Sequence, residues 1–319
     1  MKEEVVSFLK NLKSDDICIV AHKDTDGICS LSLLLYFFKK RNIDSVYTIT
    51  DIPIKNLNKH KVMIFLDIST DNIKSFSDKT MVIDHHPFSK KPEIPFYNPR
   101  ELHKDAYIPA SYLVYEVCSE IENIDEKKWV SAVGIIGDKG ELNSEFCKRY
   151  INNFENKDQL KTISDYIFSV DLVDGILGDE KIINALLTQT PEDILKNIYF
   201  KYCYNEVQRE IENCNKYIEK DRNIIFVKVK SKYNIKSIIA SKLLNKYKDV
   251  IVVAYSEYSE GYNISVRTNI PEIDIGKITK KAAESVFEIG GGHEKAAGAK
   301  IKKENLNRFK ENFISFCPH

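Results

Sequence analysis

Four apolar stretches in the first half of this chain run straight into acidic or imidazole side chains. Ile17 to Ala21 leads into His22-Lys23-Asp24-Thr25-Asp26-Gly27, Val62 to Leu66 into Asp67, Met81 to Ile83 into Asp84-His85-His86, and Trp129 to Ile136 into Gly137-Asp138. The first three runs are short and bounded by polar residues, as buried strands are, and the fourth has a helix's length. Ser45 to Ile49 reads as a further strand. Helical patterns at Ile28 to Lys40 and Ser111 to Ile121 alternate with these runs. Strands alternating with helices specify a parallel sheet covered on both faces. In such a sheet ligands bind beyond the carboxyl ends of the strands, where these polar groups fall.

Taken singly, each group has an ordinary explanation. Asp24 or Asp26 suits a turn before Gly27, and Asp67 suits a helix cap before Ser69-Thr70. Asp138 passes for a loop acid, and His85-His86 for a solvated pair. Jointly they require four unrelated accidents at element ends. His22, Asp24 and Asp26 at alternate positions of an extended segment would project the same way. Mixed carboxylates and imidazoles suit divalent metals, and the oxygen-rich balance favours manganese or magnesium. The set exceeds the needs of one ion. Two ions about 3.5–4 Å apart, bridged by one carboxylate, would use it fully.

The 319 residues are enough for two domains. The expected division is a catalytic domain over 1–190, a helical linker over 191–222 and a smaller α/β domain over 223–319. Thr190-Pro191 starts the linker helix, and Ile194, Ile198, Tyr202, Val207, Ile211 and Tyr217 mark a stripe along it. Beyond it come strand patterns at Ile224 to Val229, Val250 to Ala254 and Tyr262 to Arg267, with helical ones at Ile235 to Tyr247 and Ile273 to Phe287. Lysine plus arginine equals aspartate plus glutamate at 47 each, which argues against coating duplex DNA by bulk charge. The apolar stretch near Ile28 to Phe38 is too short to span a membrane, and residues 1–4 lack a signal-peptide shape. Seven cysteines without a Cys-x-x-Cys pair suggest reduced thiols and a cytoplasmic setting.

Near the C-terminus, Gly290-Gly291-Gly292 precedes His293. Consecutive glycines suit a backbone anion nest, to which His293 adds a donor. Arg267 shares a strand face with Ser265 and suits a phosphate.

These pieces together resemble the DHH phosphoesterase superfamily, in its RecJ-like exonuclease and nanoRNase branch and its archaeal RecJ-like form. The resemblance rests on His22-Lys-Asp-Thr-Asp-Gly27, Leu66-Asp67, Asp84-His85-His86 and Gly137-Asp138, with Asn98-Pro99 and Ser111 between them. Ser265-Val-Arg267 and Gly290-Gly-Gly-His293-Glu-Lys-Ala-Ala297-Gly298 resemble the associated C-terminal domain. The resemblance implies a parallel-sheet catalytic domain, a long helical linker, and a cleft against the C-terminal domain. It implies that His22, Asp24 and Asp67 hold one ion and that Asp26, Asp67, His85 and Asp138 hold the other. Asp84 would orient an imidazole, His86 would sit near the scissile phosphate, and Arg267, Gly290, Gly291, Gly292 and His293 would hold substrate. Manganese is the expected ion, with magnesium or cobalt as alternatives. Bacterial RecJ resembles Asp-x-Asp-x-Asp-Gly at the first motif, so His22 bears on metal preference. The implied activity is exonucleolytic or oligonucleotide cleavage of single-stranded nucleic acid. One alternative is a nucleotide or dinucleotide phosphodiesterase or phosphatase of the pNpN or pAp type. Another is a replisome factor that binds helicase subunits.

Overall fold

Short apolar runs bury both faces only when covered on both, and this chain does so. The computed structural model describes residues 2–13, 16–51, 54, 60–77, 79–214 and 217–318. Strands β1 (Ile17–His22), β2 (Val46–Thr50), β3 (Val62–Leu66), β4 (Lys79–Ile83) and β5 (Phe96–Tyr97) form a parallel sheet in the order β2-β1-β3-β4-β5 among the described residues. Side chains alternate across it. Ile19, Ala21, Ile64, Leu66, Met81 and Ile83 join the core that holds the helices Thr25–Lys40, Ala110–Ser119 and Lys128–Gly137. Val20, Phe65, Val82 and Phe96 pack on the opposite face. Ala21 pairs with Leu66, and Leu66 with Ile83, so His22, Asp67 and Asp84 each lie one residue past the same row.

The segment after β1 is not extended. Asp24 caps the helix Thr25–Lys40 by accepting the Gly27 amide at 3.0 Å, and Asp26 lies in that helix's first turn. The sharp entry requires glycine at 27, where a Cβ would stand 2.2 Å from the His22 carbonyl oxygen. The helices Lys2–Asn11, Glu145–Asn152, Lys157–Asp174 and Ile176–Thr188 also belong to this part of the chain.

The single long connector helix expected from 191 is two helices, Pro191–Lys196 and Ile198–Cys214. Asn197 leaves the helical conformation at ψ 119°, and its side chain accepts the Tyr199 amide at 3.0 Å, capping the second helix. Positions 215 and 216 of the expected linker lie outside the described residues. Residues 218–221 are strand β6 (Ile218–Asp221) rather than helix.

The chain divides into two compact units, Met1–Tyr204 and Asn205–His319. The second holds β6, β7 (Ile224–Lys228), β8 (Ile251–Tyr258), β9 (Gly261–Thr268), β10 (Ile289–His293) and β11 (Ala296–Lys302), in the order β10-β11-β9-β8-β7-β6. Among the described strands of this second sheet, only β7 and β8 pair in parallel, joined by the helix Lys236–Lys246. Phe226, Val253, Ile264, Val266 and Ala299 pack under the helices Ile275–Glu284 and Leu306–Phe316.

Gly290, Gly291 and Gly292 form no nest. They belong to the edge strand β10, where each faces a β11 partner and Gly291 and Gly292 adopt φ of 148° and 153°. Amides in an extended strand alternate in direction and do not converge on one anion. A Cβ at Gly292 would lie 2.4 Å from the Ala296 carbonyl oxygen. Among the described residues no helix is long and apolar enough to cross a membrane, and the seven cysteines are buried and unbridged.

Replacing Gly27 with alanine is expected to destabilise the first unit by about 1–3 kcal/mol through overpacking against fixed backbone. A lowered urea midpoint with an unchanged slope would report it.

Candidate metal centre

The aligned strand ends bring the first-half ligands together. His22 Nδ1 lies 3.0 Å from Asp24 Oδ2 and 3.6 Å from Asp67 Oδ2. His85 Nε2 lies 3.3 Å from Asp67 Oδ1 and 3.5 Å from Asp138 Oδ2. Three groups have ligand atoms within 4.8 Å of one another: His22, Asp24 and Asp67; Asp26, His85 and Asp138; and Asp67, His85 and His86. Asp67 belongs to two of them, and its backbone takes a left-handed φ of 60°. That bend comes directly after β3, while the Asp67 amide still bonds the Ile83 carbonyl at 2.9 Å.

Neighbouring elements fix the other members. Asp26 accepts the Ala110 amide at 2.7 Å and the Ser111 amide at 3.1 Å, so it also caps the helix Ala110–Ser119. Asp138 ends the helix Lys128–Gly137, where the Tyr107 hydroxyl donates to its Oδ2 at 2.8 Å. Asp84 is fully buried and does not reach out as a ligand. Its Oδ1 lies 2.8 Å from His86 Nδ1, and its Oδ2 accepts the His86 amide at 3.1 Å and the Asn98 side chain at 3.3 Å. Asn98 also donates to the His86 carbonyl at 2.9 Å, and Arg100 Nε donates to the His85 carbonyl at 2.8 Å. His86 is the more exposed imidazole, at 36% against 4% for His85. Tyr107 and Arg100 escaped sequence reasoning, because neither sits in a periodic pattern or at a strand end.

The electrostatics show what the cluster lacks. Burial, with Asp138 nearby, raises Asp26 to about 7, and burial with Asp24 and Asp26 raises Asp67 well above the carboxylate range. Burial also raises Asp138. Burial disfavours charge on His22, yet Asp24 and Asp67 carry its pKa up to about 10. Asp24 lies in surroundings that would raise it, but His22 and the Gly27 amide draw it down to about 2. Among the described residues, His22 Nδ1 and both Asp67 oxygens are buried with no well-directed hydrogen bond, only the close imidazole–carboxylate contacts above. Buried polar atoms are normally paired, so these fit a divalent cation, whose charge would reverse the repulsion.

In the second unit, His293, Ala296 and Arg267 are paired in one row across β10, β11 and β9. Two strand spacings put Arg267 roughly 10 Å from His293. Gly291, Gly298 and Ser265 form the next row on that face. Arg267 is half-buried, donates to the Val266 carbonyl at 3.0 Å, and is lowered in pKa by burial.

Fold and site together define a two-unit α/β protein whose strand ends gather carboxylates and imidazoles able to hold metal. The DHH family N-terminal domain matches residues 16–136 and the DHHA1 domain matches residues 221–318. The chain thus belongs to the DHH family, with both of its domains matched, and its fold is similar to that of RecJ. RecJ of Thermus thermophilus, solved with Mn2+, is similar at 16% identity and a TM-score of 0.76; the match covers 99% of this chain and 54% of RecJ. This chain thus spans about half the length of that relative. The pGpG-specific phosphodiesterase PggH of Vibrio cholerae is similar at 15% identity and a TM-score of 0.60, over 94% of this chain and 98% of PggH. CDC45 of Entamoeba histolytica is similar at 11% identity and a TM-score of 0.64, over 98% of both chains. No curated protein matched the sequence.

The pKa shifts set a pH dependence for the metal-free protein. Asp26 and Asp67 keep protons that an unfolded chain releases above about pH 4, so stability falls as pH rises from there to about 7 and beyond. His22 adds stability below 6.5 that is lost as pH climbs through about 10. Asp24 acts in the other sense, adding stability above 3.8 that is lost as pH falls through about 2. The thermal midpoint of EDTA-treated protein should therefore drop from about pH 5 to about pH 8, and excess manganese should flatten the trend; a midpoint that rises over this range would contradict it. Tyr107→Phe should weaken manganese binding about tenfold, by loosening Asp138, with little change in the urea midpoint. Titration followed by electron paramagnetic resonance would measure it.

Proposed function

We propose that this chain is a metal-dependent phosphodiesterase that releases mononucleotides from single-stranded RNA or DNA ends or from short oligonucleotides. The observation that carries this reading is Asp67, shared between ligand groups and with neither buried oxygen in a well-directed hydrogen bond. His22, Asp24 and Asp67 would hold one divalent ion; Asp26, Asp67, His85 and Asp138 would hold the second. Manganese suits the mixed donor set, with magnesium or cobalt as substitutes. When bound, such a pair supplies charge neutralisation on a phosphate and a water acidic enough to lose its proton near neutral pH.

The protein's own groups do the remaining work. Asp84 holds the Nδ1 edge of His86, so its Nε2 edge is the one offered to a phosphate oxygen. Asn98 and Arg100 hold the backbone of that histidine pair, which limits loss of alignment when substrate arrives. In the second unit Arg267 and His293 would take a phosphate or the backbone beside the cleaved bond. Gly290, Gly291 and Gly292 would leave the edge strand bare of side chains for close approach. A cytoplasmic setting suits the seven unbridged cysteines.

A dinucleotide phosphodiesterase is the second reading, favoured by the match to PggH over nearly the full length of both chains. A replication factor that docks on helicase subunits has the likeness to CDC45 behind it. The complete set of metal-type ligands speaks for catalysis over a purely structural role.

End-labelled RNA and DNA ladders and pGpG, incubated with manganese, would separate these readings. Stepwise shortening of ladders is expected, and Asp67→Ala should reduce it by at least about a thousandfold. Cleavage of pGpG alone would favour the second reading, and full activity in Asp67→Ala would remove the metal-centre assignment.

A further inference from the structure

Beyond the Arg267–His293 row, the second unit carries a basic cavity of about 430 Å³. Lys228, Lys230, Lys232, Lys236, Ser256 and Asn263 are among its lining residues. It opens where the parallel pair β7 and β8 ends and the helix Lys236–Lys246 begins. That is the carboxyl-end position at which open α/β units take ligands, and helix amides there favour anions. The first turn of the helix has no side-chain cap.

The charges are only partly balanced. Lys228 lies 3.7 Å from Glu257, which also takes Lys303 at 2.6 Å, and Lys232 lies 2.9 Å from Glu206. The remaining two lysines meet neutral groups: Lys230 stands 4.1 Å over the Tyr217 ring, and Lys236 donates to the Asn234 side chain at 2.6 Å. Among the described residues neither forms an ion pair. Lys236 is half-buried, and burial pushes its pKa down, a cost that an anion would relieve. Lysine point charges with serine and asparagine donors suit the spread oxygens of phosphate.

Sheet geometry relates this cavity to the proposed substrate row. Asn263, Ser265 and Arg267 alternate with the core residues Ile264 and Val266, so they share a face. Asn263 lies four residues from Arg267 along β9, roughly 13 Å away, at the opposite end of the helix Lys236–Lys246, which packs over β8 and β9 between them. A strand that passes beside this helix therefore spans at least about four nucleotides at a stacked spacing of roughly 3.4 Å.

We propose that this lysine-lined cavity is a second phosphate-holding site, which grips the backbone of a single strand at least about four nucleotides from the Arg267–His293 row. This rests on the reading of the protein as a single-strand phosphodiesterase, and names oligonucleotides longer than a dinucleotide as its substrates.

The test uses the full chain carrying Asp67→Asn, with and without Lys230→Gln and Lys236→Gln. Probes are a labelled dinucleotide, hexanucleotide and decanucleotide, plus inorganic tripolyphosphate by calorimetry. The two lysine substitutions are expected to weaken hexa- and decanucleotide binding about tenfold, to lower the salt slope by about 1–2, and to leave the dinucleotide unaffected. Asn263→Asp, which puts a carboxylate in the cavity and removes no lysine, should reproduce the loss. Unchanged binding at every length overturns the proposal. So does loss of tripolyphosphate binding alone, which would make the cavity a site for free polyphosphates or nucleotides. If the unsubstituted protein neither binds nor cleaves any oligonucleotide, the phosphodiesterase reading fails and the strand proposal falls with it, while tripolyphosphate still reports on the cavity.

Discussion

The register among β1, β3 and β4 is the constraint on which the metal centre depends. Ala21, Leu66 and Ile83 lie in one row, so the residues that follow them emerge at one level of the sheet edge. The strand order places β1 between β2 and β3, which makes the β1–β3 boundary the point where the chain's winding reverses. Open α/β sheets leave a crevice at such a reversal; here the helix Thr25–Lys40 follows β1 and the short turn Thr70–Asn72 follows β3. His22 and Asp67 stand on the two sides of that boundary. A shift of one residue in either pairing would turn an aliphatic side chain toward the site and a carboxylate into the core.

The cluster that this register builds opposes folding in the absence of a cation. Asp26, Asp67 and Asp138 are all raised by burial, and the long contact from His22 does not offset the desolvation of Asp67. Rigid surroundings hold it in place: the apolar packing of β1, β3 and β4, the two amides on Asp26, and the Asp84–His86–Asn98 network. Preorganisation of this kind keeps ligands aimed at one point before any ion arrives.

The second unit uses a different device. Its sheet buries one face under the helices Ile275–Glu284 and Leu306–Phe316 and part of the other, at β8 and β9, under the helix Lys236–Lys246, so that Arg267 and the small residues lie toward the glycine-rich edge. Close packing of β10 under the helix Ile275–Glu284 explains part of the glycine content. A Cβ at Gly276 would lie 2.4 Å from the Gly292 carbonyl oxygen, and one at Gly290 would lie 2.8 Å from Ala283 Cβ. The glycines therefore have a packing role, whatever they hold.

Much of the first sheet is legible in the sequence, because β1, β3 and β4 are apolar on both faces and end abruptly in polar groups. The inventory of ligand types can be read for the same reason. His22, Asp24 and Asp26 do not converge along one extended segment, since a helix cap and a first helical turn aim Asp24 and Asp26 instead. The glycine run suits a nest or a strand because glycine permits both conformations, and only pairing with β11 selects one. Asn197 divides the connector through a local side-chain bond that periodicity does not register. Thus the sequence by itself determined which residues end the buried elements, because burial is written in local apolar patterns. Only the tertiary structure decided that Asp67 would be shared, that Tyr107 would hold Asp138, and that four lysines would line one cavity. Strand order, register and the meeting of distant loops follow from packing across the whole chain, which no local pattern encodes.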